Sequence, residues 1–218
     1  MTGQNTLGLG LIRQPKTVLF GPGQRGQLGR YAAKLGSRVL VITDERMATT
    51  EEFRAMIEDL KANGAITAVY DRALPDLPRQ NVLDVLRSHG GDNIEVIVGI
   101  GGGSCMDLAK AVSAVLAHGG DVRDYFGEFA VPGPCVPLIT IPTTAGTGAE
   151  VTSLSIVYDE EVEMKMAIAD PNITPAIALI DPWLTLTCPA GLTAATAADA
   201  ISHLVEAFTA KPKNPTAD

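Results

Sequence analysis

Short runs of branched apolar residues recur along the chain, and stretches with the spacing of amphipathic helices separate them. The clearest runs are R-V-L-V-I-T at 38–43, E-V-I-V-G-I at 95–100 and V-P-L-I-T-I at 136–141. Strands that are apolar on both faces are typical of a parallel sheet covered by helices on each side. The pattern therefore predicts an α/β fold with a doubly wound, mostly parallel, Rossmann-like sheet and right-handed crossovers.

The other expected elements complete this alternation. Further strands are expected at 17–20, 66–70 and 176–180, with a β-hairpin at 153–158 and 165–169; helices are expected at 24–35, 49–63, 79–88 and 104–117, and from Thr193 onward. After Asp181-Pro182 the pattern becomes purely helical. We therefore expect an α/β domain over residues 1–185, followed over residues 186–218 by the beginning of an all-helical domain, too short to bury a core of its own.

Charge and cysteine content exclude several classes of protein. The 218 residues carry a net charge of −8, so we expect neither a nucleic-acid surface nor an anionic-membrane surface, both of which need basic patches. Apolar stretches end well short of the roughly 18 residues of a membrane span. The first ten residues lack the pattern of a secretory signal. Three widely spaced cysteines without a C-x-x-C pair favour a reduced, cytoplasmic environment.

A glycine-rich segment, G-I-G-G-G-S at 99–104, follows one of the buried runs and precedes a helix. Glycines let phosphates approach the backbone, and a helix start offers free N–H groups and the positive end of the helix dipole. The G-x-G-x-x-G spacing is not met, because Ser104 takes the third glycine position. The alternative is a tight turn with Ser104 as the helix N-cap. The place of Cys105 beside this helix start favours a lowered thiol pKa.

Two more polar groups follow buried strands. P-T-T-A-G-T-G-A-E at 142–150 offers hydroxyls and glycines that suit a phosphate or ribose, or an ordinary polar turn. Asp44 follows the run at 38–43 and could accept from a ribose hydroxyl while repelling a 2′-phosphate, which favours NAD over NADP; it could equally be a helix N-cap. Because parallel strands end at the same sheet edge, the three loops together predict a nucleotide site.

Asp199 and His203 are spaced so that both side chains lie on one face of a helix, one turn apart. A carboxylate and an imidazole so placed can share one metal ion. Taken alone, the spacing favours a surface Asp beside a solvated His, and neither Cys nor His occurs after His203. Lys110 and Lys165 are expected to be exposed, and the acidic run 159–163 to be a solvated turn.

Four segments together resemble a known family, in the order in which they occur in the chain. They are G-G-G-S-C-M-D-L-A-K at 101–110, I-P-T-T-A-G-T-G-A-E-V-T at 141–152, D-P-W-L-T at 181–185 and L-T-A-A-T-A-A-D-A-I-S-H-L-V-E-A-F at 192–208. In this order they resemble the N-terminal portion of the iron-containing (group III) metal-dependent alcohol dehydrogenase family. The resemblance covers nearly all of residues 14–218.

The resemblance implies an N-terminal NAD-binding α/β domain, a C-terminal helical domain, and a divalent metal, Fe²⁺ or Zn²⁺, in the cleft between them. It implies the following cofactor-binding residues: Asp44 at the adenosine ribose; Gly102, Gly103 and Ser104 at the pyrophosphate, with Asp107 in the same segment; Thr143, Thr144 and Thr147 along the phosphates and nicotinamide; and Thr152 and Lys165 nearby. Asp199 and His203 match the first two of the family's four metal ligands, and no catalytic residue beyond the metal site is identified.

The resulting hypothesis is an NAD-dependent, metal-dependent oxidoreductase that interconverts a small-molecule alcohol and an aldehyde or ketone by hydride transfer. The family's other two ligands are histidines farther along, so we expect a truncated chain that lacks turnover alone. A homo-oligomer, specifically a dimer, is also expected. The alternatives are a nucleotide-binding module without catalysis, a dehydroquinate synthase-like lyase and a glycerol dehydrogenase-like relative that uses zinc.

Overall fold

The computed structural model describes residues 11–210. The first ten residues and the tail 211–218 lie outside the described residues, together with the expectations placed on them. The strands are β1 (Thr17–Phe20), β2 (Arg38–Ile42), β3 (Ile66–Tyr70), β4 (Val96–Gly101), β5 (Gly127–Glu128), β6 (Leu138–Pro142), β7 (Leu154–Asp159), β8 (Met164–Ala169) and β9 (Ile177–Ile180). The helices are α1 (Leu28–Ala32), α2 (Glu45–Ala48), α3 (Glu51–Ala62), α4 (Arg79–His89), α5 (Gly103–His118) and α6 (Ala190–Thr209).

A six-stranded sheet in the order β1-β9-β6-β4-β2-β3 forms the centre of the fold, and every neighbouring pair in it is parallel. Successive residues of a strand point to opposite faces. Leu40 and Ile42 of β2 therefore enter one hydrophobic core with α4 and α5, while Val39 and Val41 enter a second core with α1 and α3. Both faces are covered by helices, and the predicted doubly wound α/β sheet is confirmed.

A small second sheet, in the order β5-β8-β7, contains the predicted hairpin of β7 and β8. Helix α5 lies between the two sheets and contacts β4 and β6 on one side and β7 on the other. Because both of its sides are covered, its buried residues include the polar Lys110 and Ser113. The helix with the glycine-rich start is therefore the element that joins the two sheets.

Local details differ from the sequence expectations. The helix expected at 24–35 is a 3-10 turn at Gln24–Gln27 followed by the five residues of α1. The helix expected at 49–63 is preceded by the separate short α2, because Asp44 and Thr50 each cap a helix start.

The expectation of a fully solvated turn at 159–163 is wrong for Asp159. Its side chain is 4% exposed and accepts two hydrogen bonds, each 2.6 Å long, from the guanidinium of Arg123. Those two residues stand far apart in the sequence, so the acidic run alone did not show the ion pair.

Helix α6 has no buried residue, and its exposed apolar side chains are Leu192, Ile201, Leu204, Val205 and Phe208. It begins at Ala190, within the segment predicted to open a helical domain; the domain boundary at 185/186 stays a prediction. Within the described part of the chain, none of the helices has the combined length and hydrophobicity that crossing a membrane requires.

Candidate functional site

The direction of the chain through the large sheet reverses between β2 and β4. From β2 the chain continues outward to β3, whereas β4 is followed by β6 and β9 on its other side. In doubly wound sheets, ligands bind in the crevice at such a switch point, beyond the carboxyl ends of the strands. The loops after β2, β4 and β6 meet there, and they carry Asp44, Gly102 and Thr143.

Two adjoining cavities open at this edge. Cavity A, about 360 Å³, is lined from the predicted set by Asp44, Gly102, Gly103, Ser104, Thr143, Thr144 and Thr147. Cavity B, about 430 Å³, is lined from that set by Gly103, Ser104, Asp107, Thr147, Thr152, Lys165, Asp199 and His203. The structure thus brings every predicted site residue to one of two cavities that share Gly103, Ser104 and Thr147. The binding role of each residue stays a prediction.

A larger groove, about 780 Å³, lies at the opposite edge of the sheet, around Thr17, Leu138 and Ile177, where three strands begin. None of the predicted site residues lines it. Since ligands of doubly wound sheets bind at the carboxyl ends of the strands, cavities A and B are the better candidates despite their smaller volumes.

The glycine-rich turn is shaped to leave room for a ligand. Helix α5 begins at Gly103 with Gly102 as its N-cap, so the alternative interpretation, in which Ser104 caps the helix, is wrong. No side chain caps the helix start, which leaves its N–H groups and dipole available to an anion. A Cβ on Gly102 would lie 3.6 Å from the Thr144 hydroxyl, inside cavity A, and one on Gly103 would lie 2.9 Å from Cγ2 of Thr147. A side chain at either position would therefore fill the space at the helix start.

Asp44 is a helix N-cap and also lines cavity A. Its Oδ1 accepts from the N–H of Met47 at 2.8 Å, and its Oδ2 lies 3.8 Å from the sulfur of Cys105. The two interpretations of this residue are compatible, because the carboxylate faces both the helix and the cavity.

The expectation of a lowered thiol pKa at Cys105 is wrong. Burial of the sulfur is the largest cause that raises the pKa of Cys105 to about 12, and the nearby carboxylate of Asp44 raises it further. The favourable helix start does not compensate for these two effects. Cys105 is therefore a packing residue of the turn.

Thr143 places an unpartnered hydroxyl in the wall of cavity A. The residue is 1% exposed, and its Oγ1 has no hydrogen-bond partner within residues 11–210. Its backbone N–H donates to the carbonyl of Gly101 at 2.9 Å, which ties the loop after β6 to the glycine turn. A buried hydroxyl without a partner is costly, and a ligand oxygen in cavity A would satisfy it.

Asp199 and His203 face cavity B from α6. Nε2 of His203 lies 3.5 Å from Oδ1 of Asp199, and both side chains are about half exposed. A carboxylate and an imidazole suit either iron or zinc. Among the described residues no group of three or more His, Cys, Asp or Glu side chains is placed to hold a metal, and the role of this pair stays a prediction.

Comparison with known proteins decides the family. The family profile described as iron-containing alcohol dehydrogenase matches residues 15–182. The chain belongs to the iron-containing alcohol dehydrogenase family.

Several members of this family are similar over almost the whole chain. The NAD-dependent methanol dehydrogenase of Bacillus methanolicus is 37% identical over 205 residues, which are 94% of this chain and 54% of that protein. The 1,3-propanediol dehydrogenase of Klebsiella pneumoniae is 32% identical over 207 residues, again 94% of this chain and 54% of that protein. The chain thus spans about half the length of the curated relatives it matches.

Solved structures of related proteins have the same fold as this chain. The alcohol dehydrogenase from Oenococcus oeni superposes with a TM-score of 0.92 at 30% identity, over 96% of this chain and 56% of that one. The sulfoacetaldehyde reductase from Bifidobacterium kashiwanohense, solved in complex with NAD⁺, superposes with a TM-score of 0.84 at 29% identity, over 95% of this chain and 55% of that one. The fold of this family member is therefore that of its relatives' corresponding half.

Sequence reasoning missed the surroundings of Lys110 in this family member. The expectation of an exposed lysine is wrong, because its side chain is 0% exposed. Its Nζ donates to the carbonyl of Leu154 at 2.7 Å and to the hydroxyl of Thr152 at 3.1 Å, and it lies 3.5 Å from Oδ1 of Asp107. Burial lowers the pKa of Lys110 and raises the pKa of Asp107, and each charge opposes the shift of the other. In the sequence, the i, i+3 spacing of Asp107 and Lys110 in D-L-A-K was the one sign of this ion pair.

Other residues line the cavities without having been predicted as site residues. Arg46, Leu192 and Thr196 line cavity A, and Asp76 lines cavity B. Lys165 is largely exposed, as expected, and its Nζ lies 2.6 Å from Oδ1 of Asp76. Gly146 packs so closely against Thr196 that a Cβ on the glycine would lie 2.8 Å from Cβ of the threonine. Helix α6 therefore forms part of the wall of cavity A.

Proposed function

We propose that the chain is the cofactor-binding part of an NAD-dependent, metal-dependent oxidoreductase that interconverts an alcohol and an aldehyde or ketone by hydride transfer. One observation carries this proposal: Asp44 lies in cavity A, Asp199 and His203 lie in cavity B, and the glycine turn lies where the cavities meet. A dinucleotide that spans both cavities would place its adenosine at one end and its nicotinamide beside the metal ligands.

The proposed roles are those that the family resemblance implies, and this placement supports them. Asp44 accepts from the adenosine ribose, the turn of Gly102, Gly103 and Ser104 holds the pyrophosphate, and Asp107 lines cavity B beside that turn. The hydroxyls of Thr143, Thr144 and Thr147 line the path toward the nicotinamide, where Thr152 and Lys165 stand. The unpartnered hydroxyl of Thr143 and the open N–H groups at the start of α5 are donors of the kind that phosphates require.

We propose Asp199 and His203 as metal ligands. They would help to hold a divalent metal, Fe²⁺ or Zn²⁺, which would supply Lewis acidity toward the oxygen of the alcohol or carbonyl substrate. The chain's own contribution is to hold the nicotinamide close to that oxygen-bearing carbon and to exclude water between them. Residues 1–185 would form the NAD-binding domain, and residues 186–218 the beginning of the metal-binding helical domain.

The surroundings we propose are a cytoplasmic compartment and a homodimeric assembly. Cys105, Cys135 and Cys188 are all free thiols, which suits a reduced compartment. The exposed apolar side chains of α6 suit association with further protein, because large apolar patches seek partners.

Calorimetric titration of the purified chain with NADH, with and without Fe²⁺, tests the proposal. We expect NADH to bind, and NADPH to bind more weakly because Asp44 repels a 2′-phosphate. Stronger NADH binding in the presence of stoichiometric Fe²⁺ would support the metal site. Absence of NADH binding under both conditions would refute the cofactor proposal.

A nucleotide-binding module without catalysis is the second candidate. Its support is that, within residues 11–210, no group of three or more His, Cys, Asp or Glu side chains is placed to hold a metal. This candidate predicts NADH binding that no metal changes and no turnover with any alcohol, so the same titration separates the two proposals.

A further inference from the structure

We propose that Lys110 is a positioning residue that builds the nicotinamide end of the site by fixing the β7–β8 hairpin onto α5. This inference rests on the proposed function, since that proposal assigns the two ends of a dinucleotide to cavities A and B. Lys110 lines neither cavity and touches no expected ligand. It acts through the residues that it holds in place.

The outer edge of β7 is where the lysine acts. Strand β7 is the last strand of the small sheet, so one of its edges is not paired with another strand of that sheet. On that edge the carbonyl of Leu154 accepts from Nζ of Lys110 at 2.7 Å, and two residues later the N–H of Ile156 donates to Oδ2 of Asp107 at 3.1 Å. The ion pair thus supplies one donor and one acceptor to the first half of this edge. Farther along the same strand, the N–H of Tyr158 donates to the carbonyl of Leu77 at 2.9 Å.

Two further contacts complete this seam between α5 and β7. Nζ of Lys110 donates to the hydroxyl of Thr152 at 3.1 Å, just before β7 begins, and the hydroxyl of Ser155 donates to the carbonyl of Asp107 at 2.9 Å. Nζ of Lys110 thus donates two hydrogen bonds, to Leu154 and Thr152, and Oδ1 of Asp107 lies 3.5 Å away as an ion-pair partner that accepts no hydrogen bond from the described residues. The segment from Thr152 to Ile156 therefore has its position set by polar contacts to one turn of α5.

The position of this segment shapes cavity B and leaves cavity A unaffected. Cavity B is lined by four residues of the hairpin region, namely Thr152, Leu154, Ile156 and Lys165. Cavity A is lined by none of them, because its walls come from the loops after β2, β3, β4 and β6, from α2, from the first turn of α5 and from α6. Loss of the lysine should therefore disturb only the half of the site in which the nicotinamide would lie.

The variant Lys110→Met tests this, because methionine keeps an unbranched side chain and removes the donors. The probes are NADH, which would occupy both cavities, and ADP, which would occupy cavity A and the glycine turn. We expect the variant to bind NADH at least 10-fold more weakly than the unaltered chain and ADP within 2-fold. A merely structural loss would lower both affinities together, since it reduces the folded fraction.

Ser113→Ala is the matched control. Ser113 is also fully buried on α5, about one turn beyond Lys110, and its hydroxyl donates to the carbonyl of Val136 at 2.7 Å, away from both cavities. We expect this variant to lose stability without a change in the ratio of NADH affinity to ADP affinity.

If Lys110→Met does not fold, the variant Ser155→Ala tests the inference instead. It removes one contact of the same seam without leaving a buried charge. The expectation is then an NADH affinity about 3-fold lower with ADP binding unchanged. An unchanged NADH-to-ADP ratio in the folded variant would overturn the inference while leaving NAD binding intact. No NADH binding by the unaltered chain would overturn the proposed function and this inference with it.

Discussion

The carboxylate of Asp44 lies 3.8 Å from the sulfur of Cys105, across the gap between the ends of β2 and β4. The same carboxylate caps α2 through the N–H of Met47. One side chain thus links the loop after β2 to the glycine turn at the point where the sheet reverses direction. Removal of the Asp44 carboxylate should therefore affect both the start of α2 and cavity A.

Asp44→Ala should reduce both stability and NADH affinity. Loss of an N-cap typically lowers the free energy of unfolding by about 1 kcal/mol. The preference for NADH over NADPH should also fall, because the repulsion of a 2′-phosphate is lost. Thr50→Ala is the control: Thr50 caps α3 by accepting from the N–H of Phe53, and it lines neither cavity. A similar loss of NADH affinity in both variants would show that helix capping, and not ribose binding, is responsible.

Cys105 should react slowly with iodoacetamide at pH 8 in the native chain and rapidly in urea. Burial of the sulfur raises the pKa of Cys105 to about 12, so almost no thiolate is present at pH 8. Mass spectrometry of the labelled peptides measures the rate. Asp44→Asn should leave labelling slow, since burial is the larger cause. Rapid native labelling would contradict the assignment of Cys105 as a packing residue.

Gly102→Ala should weaken NADH binding by at least 10-fold, about 1.4 kcal/mol, with little change in melting temperature. The added Cβ would meet Thr144 only at 3.6 Å, an ordinary contact, but it would fill space that a phosphate needs. Gly91→Ala is the control, because a Cβ there meets nothing within 4 Å. Equal NADH affinity in all three proteins would remove the glycine turn from the site.

The ion pair of Arg123 and Asp159 should make stability depend on pH in the acid range. Hydrogen bonds from Arg123 lower the pKa of Asp159 from 3.8 to about 2 in the folded chain. The stabilisation is therefore fully present above about pH 4 and is lost as the pH falls through 2. Urea unfolding should show that Asp159→Asn destabilises the chain at pH 7 and that this difference shrinks toward pH 2. For Glu58→Gln, which removes an exposed carboxylate of α3, the corresponding difference should be small at every pH.

Divalent metal should raise the melting temperature through Asp199 and His203, since a ligand that binds only the folded state stabilises it. The test is thermal unfolding with and without Zn²⁺, comparing the unaltered chain with His203→Ala. His89→Ala is a matched control, because His89 also stands beside a carboxylate, with Nδ1 2.9 Å from Oδ2 of Asp92, outside both cavities. A metal-induced shift that survives in His203→Ala would exclude the proposed ligand.

The sequence alone determined the features that depend on neighbours along the chain. Runs such as 38–43 and 95–100 identified the buried strands, because alternation and apolarity report directly on which faces of a strand are covered. The sequence also located the glycines at 101–103 and the polar loop at 142–150, because the backbone conformation of a turn depends on the residues within it. With parallel strands, the meeting of these loops at one edge followed as well.

Tertiary structure alone decided the burial of Lys110, the ion pair of Asp159 and the raised pKa of Cys105. Each depends on residues distant in sequence: Lys110 on Leu154, Asp159 on Arg123, and Cys105 on the elements that bury its sulfur, with a smaller effect of Asp44. Burial and charge pairing depend on which helices and strands pack together. The sequence pattern within one segment therefore does not predict them. The contribution of α6 to the wall of cavity A likewise depends on the packing of Gly146 against Thr196. The spacing of residues along the chain does not predict that contact.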